Sequence, residues 1–232
     1  MNNKRVGVIG GMGPMATAKF MELVINNTKA SSDQDNVDML VCQYSSIPDR
    51  TSYILDSDNL DPAPKMIEAA KLLERENCEF LVMPCNTATF FYDKVQNAVN
   101  IPLINIAEET VKCCLEKGAK KIGLMATDGT IKAGVYEQYT NGKCELFIPD
   151  DVMQKRIMSI IYNEVKRNKI PDKDNFLEVV KYFRDNKCDV IVMGCTELSV
   201  AIEQLDINED YIVDSLTVLA KLTITKAGKM LK

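Results

Sequence analysis

The chain carries an internal duplication centred on two cysteines. The segments NCEFLVMPCNT (residues 77–87) and KCDVIVMGCTE (residues 187–197) share an apolar run, a Val-Met pair and a cysteine, and they lie 110 residues apart. A second pair, KRVGVIG (residues 4–10) and KKIGLMA (residues 120–126), repeats in the same order. In a chain of 232 residues, these repeats predict two similar units, each presenting one thiol where a strand ends.

Short apolar runs alternate with amphipathic stretches along both units. We predict strands at residues 5–10, 38–44, 80–84, 103–106, 121–126, 144–149 and 190–194. We predict helices at residues 15–30, 62–77, 87–98, 107–117, 151–168, 174–187 and 216–232. Continuous apolar strands that alternate with helices are typical of buried parallel sheets. The predicted fold is therefore α/β with two βαβ-type domains, one of residues 1–103 plus 213–232 and one of residues 104–212.

The charge balance and the apolar runs limit the classes of partner. The net charge is −5 and the lysines and arginines are scattered, so we expect no nucleic-acid partner. No apolar stretch approaches the ~20 residues that span a bilayer, so we expect no membrane partner and a cytoplasmic protein.

Histidine is absent from the chain. This excludes a Ser-His-Asp triad, a Cys-His dyad and a His-ligated zinc within one chain. Any general acid or base must therefore be a cysteine, aspartate, glutamate, lysine or tyrosine.

Cys85 and Cys195 each follow a predicted strand and precede a helical stretch. Open α/β sheets bind ligands at this edge, and a helix amino terminus lowers the pKa of a nearby thiol. We therefore interpret both as candidate acid–base groups, and we expect a lowered pKa for Cys85. Other cysteines are interpreted as small buried apolar residues, namely Cys42, Cys78, Cys144 and Cys188.

The glycine-rich turn GGMGPMAT (residues 10–17) matches the dinucleotide fingerprint only formally. Pro14 stiffens the turn, and no acidic residue ends the second strand. We instead expect a tight turn whose backbone N–H groups face a small anion, with Pro14 at the first helical position.

Further anion-binding candidates lie in other segments. Arg50 occupies a polar loop after the second strand and suits a carboxylate because it can bind bidentately. Thr127 and Thr130 follow the first strand of the second unit, where they can donate hydrogen bonds to an anion. Lys166, taken alone, has the pattern of a lysine on a helix surface.

Five segments together resemble the aspartate/glutamate racemase family, and most closely its aspartate racemase branch. They are spread in order over nearly the whole chain: GGMGPMAT (10–17), IPDRT (47–51), MPCNTAT (83–89), GLMATDGT (123–130) and MGCTEL (193–198). The resemblance implies two α/β domains related by a pseudo-twofold axis, with the active site between them. It also implies a homodimer and racemisation of L- and D-aspartate or L- and D-glutamate without cofactor or metal.

The same resemblance assigns roles to individual residues. Cys85 and Cys195 would be the two catalytic thiols, one removing the α-proton and the other protonating the opposite face. Arg50 and Lys166 would contact carboxylates and offset the developing negative charge. The remaining residues implied in substrate binding are Met12, Asn86, Thr87, Thr127, Thr130, Thr196 and Glu197.

One position departs from the aspartate racemase pattern. Members of that branch commonly carry His where this chain has Thr89, and Thr at this position resembles the glutamate racemases. Glu197, in contrast, resembles the aspartate racemases. The sequence therefore leaves the choice between aspartate and glutamate open.

Two other classes of function are weighed against an acidic amino-acid racemase. One is a superfamily relative with other chemistry, such as a hydantoin racemase, a maleate isomerase or an arylmalonate decarboxylase. The other is a non-catalytic amino-acid-binding protein or thiol redox sensor on the same fold. Arg50 in the IPDRT loop favours a substrate with a second carboxylate, and the absence of a CxxC pair disfavours a redox role.

Overall fold

The computed structural model describes residues 3–232 and contains two four-stranded parallel sheets. The first sheet has the order β2-β1-β3-β4 and the second the order β6-β5-β7-β8, so the two units share one topology. The strands are β1 (Val6–Gly10), β2 (Met39–Gln43), β3 (Phe80–Val82), β4 (Leu103–Ile104), β5 (Lys121–Met125), β6 (Glu145–Phe147), β7 (Val190–Met193) and β8 (Ile212–Asp214). The predicted α/β fold with two similar parallel units is confirmed.

Helices connect the strands and cover both sheets. They are α1 (Pro14–Asn27), α2 (Arg50–Leu55), α3 (Ala63–Arg75), α4 (Tyr92–Gln96), α5 (Ile106–Glu116), α6 (Asp128–Lys132), α7 (Glu137–Thr140), α8 (Asp151–Ser159), α9 (Lys173–Asp185), α10 (Thr196–Gln204) and α11 (Ser215–Lys226). Acidic or amide side chains accept backbone N–H groups at several helix starts, as N-caps do, at Asp49, Asn105, Asp150, Asp172 and Asp214.

The last helix joins the two units. α11 starts directly after β8 of the second sheet, yet it packs against α1 and α5. Its buried residues Leu216, Leu219 and Ile224 lie in one apolar cluster with Val6 and Val8 of β1. The chain thus returns to the first sheet, while the boundaries drawn at residues 103/104 and 212/213 remain a prediction.

Helices α2 and α6 bring the two sheets together. α2 precedes α3 on the first unit, α6 follows β5 on the second, and the two helices are in contact. The approach is close at Gly129, where a Cβ atom would lie 2.8 Å from Thr51 Cα. A residue without a side chain is required at this contact.

Several predicted elements differ from the structure. The predicted helix 151–168 is broken: α8 ends at Ser159, a π-helix spans Ile160–Glu164, and a 3-10 helix spans Val165–Arg167. The predicted helix 87–98 is a 3-10 helix (Thr87–Phe91) followed by α4, and α11 ends at Lys226 rather than at residue 232.

The ends of these segments have local causes. Asn168 adopts a left-handed conformation with φ 58° after the 3-10 turn, and Gly228 does so with φ 81° after α11. A left-handed residue ends a helix, and glycine reaches that conformation without steric cost. Short elements escaped prediction because they are too brief to show periodicity, namely α2, α6, α7 and β8. Among residues 3–232, no helix has both the length and the apolar character to cross a bilayer.

Candidate active site

The carboxyl ends of the two sheets face each other across a small cavity of about 10 Å³, roughly the space of one water molecule. Ten of the eleven predicted site residues line it: Met12, Arg50, Cys85, Asn86, Thr87, Thr127, Lys166, Cys195, Thr196 and Glu197. Three further lining residues were not predicted, namely Asp49, Thr51 and Tyr162. Asp49 and Thr51 flank Arg50 in the IPDRT segment, so their position next to a predicted site residue could have identified them.

Cys85 lies just after β3, between Pro84 and the 3-10 helix that starts at Thr87. Its side chain is 5% exposed, and its backbone N–H donates to Met83 O at 2.7 Å. The tight turn after the strand directs this residue into the cavity rather than along the sheet.

Arg50 faces Cys85 from the first turn of α2, which corrects its predicted place in a loop. The guanidinium is buried and donates to Pro48 O at 2.9 Å, whereas its Nε has no partner in the described chain. Burial alone would lower the pKa of Arg50, but the charges of Cys85 and Asp49 outweigh it and raise that pKa. A fixed positive charge with an unused donor therefore lies beside the Cys85 sulfur.

Cys195 has the opposite electrostatic surroundings. It occupies the N-cap position of α10, and its Sγ donates to Glu197 Oε2 at 2.9 Å. Burial and the negative charge of Glu197 raise the pKa of Cys195 well above the usual thiol range. Desolvation and the adjacent carboxylate thus exceed any lowering of the Cys195 pKa by the helix amino terminus.

Four threonine hydroxyls form a buried cluster at one side of the cavity. Thr87 and Thr127 lie 3.0 Å apart, Thr130 lies 2.9 Å from Thr87, and Thr51 donates to Thr127 at 3.3 Å. Thr130 does not line the cavity, unlike the other three. Its hydroxyl lies against those of Thr87 and Thr127 and orients them, and its contact with substrate stays a prediction.

Asn86 is held by a hydrogen-bond network from three segments. The Tyr136 hydroxyl donates to Asn86 Oδ1 at 2.6 Å, and Asn86 Nδ2 donates to Ser215 Oγ at 2.8 Å. Ser215 in turn donates to Met193 O at 2.7 Å. Because every group is buried and paired, the orientation of the Asn86 amide is fixed before any ligand binds. Sequence reasoning missed Tyr136 and Ser215, which lie far from Asn86 along the chain.

Lys166 crosses the cleft from the irregular segment after α8. Its Nζ lies 3.7 Å from Asp49 Oδ2, 4.0 Å from Glu197 Oε1 and 4.1 Å from the centre of the Tyr162 ring. Burial would lower its pKa, but the charge of Glu197 and the neighbouring Tyr162, Cys195 and Asp49 raise it. Lys166 is therefore a half-buried cation of the cleft, not a lysine on a helix surface.

The glycine-rich turn supplies Met12 to the cavity and closes against Glu197. A Cβ atom on Gly13 would lie 3.3 Å from Glu197 Oε1, and α1 begins at Pro14. A larger cavity of about 480 Å³ opens beside this turn and shares four lining residues with the small one, namely Asp49, Arg50, Lys166 and Glu197.

A family model and a characterised relative both match this chain over nearly its whole length. The sequence model of the family described as "Asp/Glu/Hydantoin racemase" matches residues 9–223. The broad specificity amino-acid racemase RacX of Bacillus subtilis (strain 168) is 29% identical over 226 residues, 95% of this chain and 96% of that protein.

Solved structures show the same fold. The aspartate racemase of Picrophilus torridus superposes with a TM-score of 0.83 at 30% identity, covering 99% of this chain and 96% of that one. The glutamate racemase of Francisella tularensis subsp. tularensis SCHU S4, solved with D-glutamate, has a TM-score of 0.64 at 20% identity, covering 97% and 81%. At 20% identity, the similarity to the glutamate racemase shows a shared fold and nothing more. The match over residues 9–223 confirms the predicted family, and the chain belongs to the Asp/Glu/Hydantoin racemase family.

Proposed function

We propose that the protein is a cofactor-independent racemase of aspartate, glutamate or both, with Cys85 and Cys195 as its acid–base pair. The observation that carries the proposal is that both thiols, from equivalent places in two similar sheets, line one buried cavity. A racemase needs one group on each face of the α-carbon, and the chain contains no histidine to take either role.

The charges around the two sulfurs support one direction for the first proton transfer. Arg50 faces Cys85, and the Cys195 Sγ donates to Glu197 Oε2, so Cys85 is proposed as the base of the first step and Cys195 as its acid. The Cys85 sulfur takes the α-proton, and the C–H electron pair stays on the substrate and spreads into its carboxylate. Cys195 then gives its proton to the opposite face and is left as the thiolate. The reverse reaction starts from that state.

Cations and N–H dipoles stabilise the intermediate in place of a cofactor. Arg50 offers its unpartnered Nε to one carboxylate, and Lys166 offers its ammonium to the other. Asn86, Thr87, Thr127 and Thr196 bind the amino-acid end, with Met12 closing one wall. Substrate must widen the cavity, since about 10 Å³ holds less than an amino acid.

A product assay tests this function. We expect L-aspartate or L-glutamate to lose optical activity and to yield the D-enantiomer by chiral chromatography, without added pyridoxal phosphate. Maleate and a 5-substituted hydantoin serve as substrates for the alternative chemistries. Turnover of either one, with none of the two amino acids, would overturn the proposal in favour of that relative.

A broader racemase is the second candidate, favoured by the cavity of about 480 Å³ beside the site. Apolar side chains of Ile47, Val165 and Val200 contribute to its wall, and Lys166 is already paired with two carboxylates. A neutral or long side chain can enter this space without competing for Lys166. A panel of L-methionine, L-leucine and L-lysine tests this candidate. Activity on them equal to that on aspartate supports breadth, and activity confined to aspartate and glutamate rejects it.

We propose that the protein is cytoplasmic and forms a homodimer. All eight cysteines are free, which fits the reducing cytoplasm. We propose a homodimer that binds small amino acids and neither nucleic acid nor membrane, in line with the net charge of −5. Sedimentation velocity tests the dimer, and a monomer at micromolar concentration would contradict it.

A further inference from the structure

The Cys195 sulfur and the Glu197 carboxylate form a buried pair. The Sγ–Oε2 distance is 2.9 Å, Cys195 is 5% exposed and Glu197 is 7% exposed. Both residues lie at the start of α10, so the helix backbone fixes their spacing. The Thr196 hydroxyl also donates to Glu197 Oε2, at 3.4 Å. The carboxylate therefore accepts two donors and points its charge at the sulfur.

The charged and titratable groups around this pair come from several elements. Lys166 faces Glu197 from the 3-10 segment, at 4.0 Å, and partly offsets its charge. The other groups that face the pair are Tyr162 of the π-helix, Arg50 of α2, Asp49 before α2 and Cys85 after β3. No equivalent carboxylate follows Cys85, where Asn86 and Thr87 stand in place of Thr196 and Glu197.

We propose that Glu197 is a positioning residue that holds the proton on the Cys195 sulfur, so that the enzyme meets its substrate with one thiol and one thiolate. The inference rests on the proposed two-thiol racemisation and deepens it. Each half-reaction needs one sulfur to be protonated and the other ionised, since two thiolates have no proton to give. The negative charge of the Glu197 carboxylate makes it costly for Cys195 to lose its proton. The state with one thiol and one thiolate therefore stays populated at alkaline pH.

Glu197 does not change the proton and electron balance of the transfer from Cys195 to Cα. The Cys195 S–H bond breaks as the Cα–H bond forms, and the electron pair of the intermediate takes up the proton. Glu197 neither gains nor loses a proton overall. Its charge instead sets which sulfur carries the proton at rest.

The test is a pH titration of Glu197→Gln, which keeps the shape of the side chain and removes its charge. The Cys195 thiolate is followed in substrate-free protein by ultraviolet absorbance, in a Cys85→Ser background and against the same protein with Cys195→Ser. We expect the Cys195 thiolate to appear about one pH unit or more lower than with Glu197 present, as for a like charge removed nearby. In Glu197→Gln with both cysteines present, the alkaline limb of the profile of kcat/KM against pH should also move to lower pH.

Three further variants sharpen the result. Glu197→Asp keeps the charge and should keep the alkaline limb near that of the parent protein. Glu209→Gln removes an exposed carboxylate after α10 and should shift neither curve. Lys166→Met removes the nearby cation and should move thiolate formation to higher pH, which tests the same electrostatics if Glu197→Gln does not fold.

The outcomes separate this inference from the proposed function. An unchanged Cys195 titration in Glu197→Gln, with only a raised KM, would overturn it and make Glu197 a substrate contact alone. A shifted titration supports it whether or not racemisation is found, because that measurement uses no substrate. Failure of the proposed function would appear separately, as absence of turnover in the parent protein.

Discussion

At the scale of single residues, the two sulfurs occupy matching positions but face opposite charges. Arg50 lies beside Cys85, and Glu197 lies beside Cys195. The cavity position of both sulfurs could be predicted from the duplicated strand ends. The difference between them could not, because Arg50 comes from α2, more than thirty residues before Cys85, and only the folded chain brings them together.

The buried network around Asn86 gives a test at the same scale. Tyr136→Phe removes the hydroxyl that donates to Asn86 Oδ1, so the amide loses one of the two hydrogen bonds that fix its orientation. We expect kcat/KM to fall about tenfold and the free energy of unfolding to fall by about 1 kcal/mol. Steady-state kinetics and urea unfolding measure the two effects.

A matched control is available one turn away. Tyr139→Phe removes a hydroxyl that accepts from Asn105 and lies outside the cavity. It should cost similar stability and leave kcat/KM unchanged. Equal loss of activity in both variants would mean that Tyr136 acts through general stability and not through Asn86.

At the scale of elements, the segment 160–167 decides where Lys166 points. Apolar periodicity predicts one continuous helix over residues 151–168, whereas the structure has a π-helix and a 3-10 helix after Ser159. A π-turn adds a residue to the helical repeat and rotates everything that follows. Tyr162 and Lys166 face the cleft as a result, and no pattern of single residues predicts such a break.

Removing the cation of this segment should weaken binding of acidic substrates. Lys166→Met leaves Asp49 and Glu197 without their shared partner and removes one carboxylate contact. We expect KM for aspartate or glutamate to rise at least about tenfold, the range of one charged hydrogen bond. Lys169→Met, an exposed lysine three residues on, should leave KM unchanged. An unchanged KM in Lys166→Met would remove Lys166 from substrate recognition.

At the scale of the whole molecule, α11 packs against helices of both similar units and joins them. The duplication of sequence segments predicted two parallel sheets, and the amphipathic pattern predicted a last helix. β8 could not be predicted, because its three residues, Ile212, Val213 and Asp214, show no repeat and are held by pairing with β7. That short strand carries the chain from the second sheet back to the first.

The role of α11 in stability is open to measurement. Leu219 is fully buried against the first sheet, so Leu219→Ala should lower the free energy of unfolding by about 3 kcal/mol. Because α11 contacts both units, we expect one unfolding transition rather than two. Leu60→Ala, at a side chain 77% exposed, should change stability by less than about 0.5 kcal/mol. A stable second unit in Leu219→Ala, seen as a second transition, would contradict this coupling.

The most direct test of the account is α-proton exchange in deuterated water with single-cysteine variants. Starting from L-aspartate or L-glutamate, the parent protein should yield D-enantiomer that carries deuterium at Cα. Cys85→Ala and Cys195→Ala should each lower racemisation on the order of a thousandfold, the range of a missing general acid or base. Cys144→Ala, at a cysteine outside the cavity, should retain the parent rate. Racemisation at the parent rate in either Cys85→Ala or Cys195→Ala would contradict the two-thiol mechanism.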